Sequence, residues 1–252
     1  MSIPVYIEIF SGSGRLAAAF GRVNELCIVW DITLGPQYDL TKPYALSLIC
    51  GWLRAGQLRG VHLGTPCTSF SRIRGVGHGP GRLRSSAAPR GIESLANEAD
   101  LEIVRKGNII LDASCSIFSL CQRHEVPVSL ENPSTSILWC TPQINYLRRS
   151  STVRRVVTDF CMWGMPWRKS TAFLTCRLVT SELEQHRCRG AAPGLCARSG
   201  CRHIQLVGRS PNGVFWTKIA EPYPPKMCDS LVSSFVNSDL ARKASRFSAL
   251  LA

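Results

Sequence analysis

The most constraining stretch is residues 5–22, VYIEIFSGSGRLAAAFGR. An apolar run broken only by Glu8 reads as a buried strand, Ser11-Gly12-Ser13-Gly14 interrupts it, and residues 15–22 read as helix. Gly12-Ser13-Gly14-Arg15-Leu16-Ala17 fits G-x-G-x-x-[GA] between strand and helix. Its glycines permit a tight turn and let a ligand approach the backbone.

The alternation continues downstream. Residues 26–30 read as a second buried strand ending at Asp31, 44–55 as a helix, and 61–63 as a third strand ending in Gly64-Thr65-Pro66-Cys67. Residues 93–124 carry apolar side chains at helical spacing, as one long helix or two short ones. A fourth strand, 126–130, ends at Glu131-Asn132-Pro133, and further strands are expected at 156–161 and 171–176. Residues 222–251 end in a helix. Strands alternating with helices predict an α/β domain with a largely parallel sheet. Ligands bind such sheets outside the carboxyl ends of the strands. The glycine loop, Asp31, Cys67 and Glu131 all directly follow predicted strands.

Charge narrows the partner. Thirty Lys and Arg against seventeen Asp and Glu give a net charge of +13, which favours a polyanion. Residues 71–91 contain Arg72, Arg74, Arg82, Arg84 and Arg90 and no acid, in a Gly- and Pro-marked loop of the length typical of a functional lid. No apolar run approaches the ~20 residues of a membrane helix. The first residues lack a basic n-region and include Glu8, so no secretory signal is expected. Twelve cysteines in such a chain then predict a reducing compartment, nuclear or cytoplasmic, with Cys27, Cys50, Cys115 and Cys121 as small buried hydrophobes.

Two sets of residues carry chemistry. The glycine loop with Asp31 predicts a ligand containing an adenosine-like ribose, without separating NAD from S-adenosylmethionine. Cys67, at a strand end ahead of arginines, is placed to be a nucleophile of lowered pKa. Glu131 at another strand end could hold the ring nitrogen of an electron-poor base through a proton.

These residues resemble the motifs of C5-cytosine DNA methyltransferases. Phe10-Ser11-Gly12-Ser13-Gly14 resembles the first, cofactor-binding motif, Pro66-Cys67 the Pro-Cys nucleophile motif, Glu131-Asn132-Pro133 the Glu-Asn-Val motif, and Trp163-Gly164-Met165-Pro166 the start of a later one. Their order holds over residues 3–176. The resemblance implies a Rossmann-like, S-adenosylmethionine-dependent methyltransferase fold with a mostly parallel sheet, helices on both faces and a small Cys-rich insertion. It implies a catalytic domain at 1–176, a reduced target-recognition region at 177–210, and a C-terminal segment at 211–252 that packs back on the first. Phe10, Ser11, Gly12, Gly14, Asp31, Asp39 and Pro66 would bind the cofactor. Cys67 would add to C6 of a flipped cytosine while Glu131 holds N3 and the exocyclic amine. Arg72, Arg74, Arg82, Arg84 and Lys169 would face nucleic acid, DNA in the first instance with RNA left open, and the protein would act as a monomer away from membranes.

The chain departs from that pattern. Thr68 stands where the family has Gln, and Pro133 where it has Val. Of a Gln-x-Arg-x-Arg pattern, Lys169 takes the place of the first arginine, and Thr171 that of the second. The closing motif survives as an echo in Ala220-Glu221-Pro222-Tyr223-Pro224. The later Cys188, Cys196, Cys201 and His203, spaced C-x7-C-x4-C-x-H, suit a tetrahedral zinc ion or are free thiols of a basic loop. Two other readings stay open: a catalytically inactive nucleic-acid-binding relative, and an NAD-linked oxidoreductase supported only by the glycine loop and Asp31.

Overall fold

The computed structural model describes residues 3–72, 81–95, 97–190, 192 and 194–251. In chain order its strands are β1 (Val5–Ile9), β2 (Cys27–Trp30), β3 (Leu58–Leu63), β4 (Val128–Pro133), β5 (Val153–Asp159) and β6 (Ser170–Cys176). Its helices are α1 (Arg15–Arg22), α2 (Pro43–Arg54), α3 (Glu98–Arg123), α4 (Pro142–Leu147), α5 (Ser181–Gln185), α6 (Trp216–Ile219) and α7 (Pro225–Leu251). The strands form one sheet in the order β2-β1-β3-β4-β6-β5, with β6 antiparallel to both of its neighbours.

Both faces of the sheet are covered, which is why β1, β3, β4 and β6 are buried along nearly their whole length rather than at alternate residues. Neighbouring residues on β1 enter different cores. Ile7 belongs to the core that also holds Ile49 of α2, Leu111 of α3 and Ile144 of α4, whereas Tyr6 packs with Phe20 of α1 and Phe235 of α7. This is a mostly parallel, helix-flanked sheet of Rossmann-like architecture.

Local signals set the helices. Gly14 caps α1 at φ +64°, a left-handed conformation that costs a side-chain-bearing residue energy. Asn97 caps α3, its side chain accepting from the N–H groups of Ala99 (2.8 Å) and Asp100 (3.4 Å). Glu98 and Asp100 in the first turn and Arg123 in the last suit the helix dipole, so residues 98–123 form a single helix.

Register decides what faces the site. Ile9 pairs with Trp30 and with Leu63, and Leu63 pairs with Leu130. Phe10, Asp31, Gly64 and Glu131 therefore emerge side by side at one edge. β4 runs on to Pro133 because β6 pairs with it there, Glu131 opposite Phe173 and Pro133 opposite Thr171. That antiparallel pairing brings Lys169 and Thr171 to the same edge. None of the helices among the described residues is long and apolar enough to cross a membrane.

Candidate active site

The edge opens into a cleft of about 690 Å³ lined by Cys67, Arg72, Ser134, Lys169 and, from the Cys-rich segment, His203 and Leu206. Gly64 lets the loop bearing Cys67 leave the sheet, since a Cβ there would come within 2.9 Å of the Phe10 carbonyl oxygen and 3.3 Å of the Tyr223 hydroxyl. Asn132 fastens this loop to β4, its amide donating to the Thr65 carbonyl at 2.6 Å. Pro66 is exposed and Cys67 half-buried.

Cys67 and Glu131 are close enough for their charges to interact. Burial pushes the Cys67 thiol above its ordinary value, Glu131 adds to the rise, and Lys169 opposes it. This corrects the expected lowered thiol: burial is the main cause of the rise, the nearby carboxylate adds to it, and Lys169 does not offset the two. Burial likewise raises Glu131, against the opposing Lys169 charge and hydrogen bonds from Thr171 and Tyr223. Each group is thus biased toward its protonated form, and protonating Glu131 removes a negative charge that helps hold the thiol up.

The supports of Glu131 come from three distant stretches. Thr171, at the second arginine position, donates to Glu131 Oε1, and the Tyr223 hydroxyl lies 3.1 Å from Oε2. Burial and the nearby Glu131 keep Tyr223 protonated, so it donates to the carboxylate. His62 Nε2 is 3.1 Å from the Tyr223 oxygen and its Nδ1 is 2.7 Å from Ser129 Oγ. Burial pushes His62 down to about 3, so the ring is neutral. With Tyr223 already donating to Glu131, His62 carries its proton on Nε2, and Ser129 donates to Nδ1. Tyr223 and Thr171 are functional positions that the sequence reading missed. The only signal for Tyr223 was the worn Ala220–Pro224 echo.

At the glycine loop, Phe10 has φ +59°, and Gly12 and Gly14 also have positive φ, with no atom within 4 Å of a Cβ built on either glycine. Asp31 Oδ2 accepts the Gly12 N–H at 2.9 Å, and Oδ1 accepts the Thr33 N–H (2.9 Å) and hydroxyl (2.7 Å). Burial favours the neutral acid, but these bonds outweigh it and hold Asp31 below its usual range. Ser11 Oγ is buried without a hydrogen-bond partner beside this loop. Asp39 is half-buried and accepts the Thr41 N–H at 2.9 Å. A left-handed glycine loop with open space on one side, an ionised acid and an orphaned hydroxyl fit a nucleoside-bearing ligand.

The basic residues divide. Arg72 is exposed at the cleft, with Nε donating to the Thr135 carbonyl at 2.7 Å, and Arg82 is exposed too. Arg74 lies outside the described residues. Arg84 corrects the expectation of a phosphate-facing loop: it is 2% exposed, lies 3.9 Å over the Phe70 ring, and donates to Asn108 Oδ1 (2.7 Å) and to the Pro89 and Val104 carbonyls. Its guanidinium ties the loop to α3. Lys169 is half-buried, donating to the Ala220 carbonyl at 3.0 Å, with its charge near both Glu131 and Cys67.

The four expected metal ligands also divide. The ligand atoms of Cys188, Cys196 and His203 lie within 4.8 Å of one another, but their fourth companion is Cys161 rather than Cys201. Cys201 is exposed and its thiol turns back to the Ser199 carbonyl at 3.6 Å.

No protein-family model matches the chain, and no curated protein does. Among solved structures, one match is the crystal structure of S. pombe Dnmt2 methyltransferase, 12% identical, covering 69% of this chain, with a TM-score of 0.38. The match spans 50% of that chain.

Proposed function

We propose that the protein transfers a methyl group from S-adenosylmethionine to C5 of a cytosine flipped out of nucleic acid, with DNA as the substrate. The observation that carries this reading is that the buried Glu131 lies close enough to Cys67, which lines the cleft, for their charges to interact, at the same sheet edge as the glycine loop. Ser11, Gly12, Gly14 and Asp31 would hold the cofactor, with Phe10, Asp39 and Pro66 beside them. When bound, it supplies an electrophilic methyl group.

The chain's residues account for the rest. Cys67 Sγ, as thiolate, forms a bond to C6 of the cytosine. Glu131, biased toward its protonated form, donates to N3 and neutralises the charge that this addition sends into the ring. C5, made electron-rich by the addition, would take the methyl group from the bound cofactor, whose sulfur would keep the electron pair of the broken S–CH3 bond and become a neutral thioether. Loss of the C5 proton to a base or water restores the C5–C6 double bond and expels Cys67. Thr171 and Tyr223 fix the Glu131 carboxyl, and the neutral His62 fixes Tyr223. Arg72 and Arg82 lie exposed for phosphates.

The test is transfer of labelled methyl from S-adenosylmethionine to unmethylated DNA, with RNA of the same sequence in parallel. The unmutated protein is expected to label DNA at cytosine C5, and Cys67→Ala to lose the signal. Absence of transfer to both polymers overturns the enzyme reading. Transfer to RNA alone overturns the choice of DNA. Undiminished transfer by Cys67→Ala overturns the nucleophile.

A further inference from the structure

We propose that Cys161, Cys188, Cys196 and His203 form a structural zinc site that pins the Cys-rich segment to the sheet and so sets the cleft wall facing Cys67. This set replaces the one that spacing suggested. Cys161 comes from the turn that follows β5, outside the Cys-rich segment altogether, while the other three belong to the segment.

Three observations carry the site. The first is distance. A tetrahedral zinc ion with Zn–S of about 2.3 Å and Zn–N of about 2.0–2.1 Å separates sulfur from nitrogen by roughly 3.6 Å. Cys188 Sγ and His203 Nε2 are 3.7 Å apart, and all four ligand atoms fall within 4.8 Å. The second is surroundings suited to thiolates. The Ala197 N–H donates to Cys188 Sγ at 3.4 Å. The Cys188 N–H donates to Asp159 Oδ2 at 2.8 Å, and Arg187 reaches the same carboxylate at 3.1 Å. Arg198 donates to the Cys161 carbonyl at 2.8 Å. Three thiolates against a divalent cation leave one net negative charge, which the Ala197 N–H and the nearby Arg198 offset, while Arg187 and the Cys188 N–H hold the buried Asp159 carboxylate.

The third is the packing itself. Cys161, Cys188 and Cys196 form a separate buried cluster, joined among the described residues by the half-buried Met162. Together with Leu206, which packs on the core of Trp167 and Phe235, these thiols and one thioether are little apolar surface for a segment of this length, and small segments of this kind are held by metals or disulfides. Among the described residues every cysteine is a free thiol.

Four protein ligands close the coordination sphere, so the ion is structural, with no open position for a reacting water. Its reach is mechanical. His203 is followed by Ile204, whose N–H donates to the Pro166 carbonyl at 2.9 Å, and then by Gln205, Leu206 and Val207 along the cleft. Binding replaces the thiol protons, which leave to solvent.

The test is metal content of the full chain, loaded with zinc and freed of excess by gel filtration, before any activity is measured. About one equivalent of zinc is expected for the unmutated protein and for Cys201→Ser, and none for Cys161→Ser. Cobalt loaded in place of zinc should give the intense visible bands of a tetrahedral site with thiolate charge transfer, a readout that does not depend on the Cys161→Ser variant folding. Chelation should speed tryptic cleavage within residues 187–209 at least roughly ten-fold while the sheet stays resistant. Less than a tenth of an equivalent in the unmutated protein, a six-coordinate cobalt spectrum, or loss of zinc from Cys201→Ser overturns the site.

Discussion

The carboxyl edge of the sheet and the Cys-rich segment opposite it are two walls of one cleft, held by different means. Behind Cys67 and Glu131 stand strands whose side chains are almost fully buried on both faces, with Leu63, Val128 and Leu130 at 0% exposure. Behind Leu206, which packs at the margin of the Trp167 and Phe235 core, and the exposed Val207 stand short turns, two isolated bridges and a pocket of thiols. The first wall is fixed by apolar burial, distributed over many residues and insensitive to any single bond. The second depends on a few polar and sulfur contacts. Chemistry that demands sub-ångström placement sits on the first wall, and the second is left to define the shape of the opening.

Substitutions can break this contrast from both sides. The largest effect is expected at the rigid wall's chemistry: Glu131→Gln should lower methyl transfer about 10²–10⁴-fold with little change in melting temperature, as single-turnover rates and a thermal melt would show. An unchanged rate would remove Glu131 from the mechanism. Next comes the packing behind it. Leu130→Ala should destabilise the protein by about 2–5 kcal/mol, whereas Val207→Ala, at 78% exposure, should stay within about 0.5 kcal/mol. Equal losses in denaturant unfolding would show that the two walls are held alike.

A buried acid of the rigid wall gives the contrast a pH dependence. Glu8 is 1% exposed and burial pushes its carboxyl up from 4.5 to about 7, despite the 2.8 Å bond from the Ala17 N–H. The folded state therefore holds the proton more tightly than the unfolded chain. Its stabilising share is present in full below pH 4.5 and is lost as pH rises through 7, by about 3 kcal/mol at most. Urea unfolding of the unmutated protein should show this loss, and Glu8→Gln should not. The proposed methyl transfer needs a Cys67 thiolate and a protonated Glu131, both of which burial holds up, so its rate should climb with pH as Cys67 ionises and fall once Glu131 loses its proton.

The smallest effect separates two arginines that look alike in sequence. Arg72→Ala should reduce the salt slope of DNA binding by about one, with the fold intact. Arg84→Ala should leave that slope unchanged and lower stability instead, because it strands the Pro89 and Val104 carbonyls and Asn108. A matched loss of salt slope in both would return Arg84 to the nucleic-acid surface.

Much of the rigid wall was legible in the chain. Apolar runs ending in Gly12, Asp31, Cys67 and Glu131 announced a parallel sheet with its chemistry at one edge, because strand length, glycine turns and helix caps are local properties. The sequence alone also set the basic excess and the order of the motifs. Tertiary structure decided the rest. The antiparallel course of β6 put Thr171 on Glu131, and the return of the chain before α7 put Tyr223 between His62 and Glu131, contacts separated by 40 and 92 residues. Burial set the protonation of Cys67, Glu131 and His62, and withdrew Arg84 from the surface. The thiol cluster shows the division most plainly. Spacing selected Cys201 as the neighbour of His203, but spacing measures distance along the chain, and the fold closed the set with Cys161 from the turn after β5.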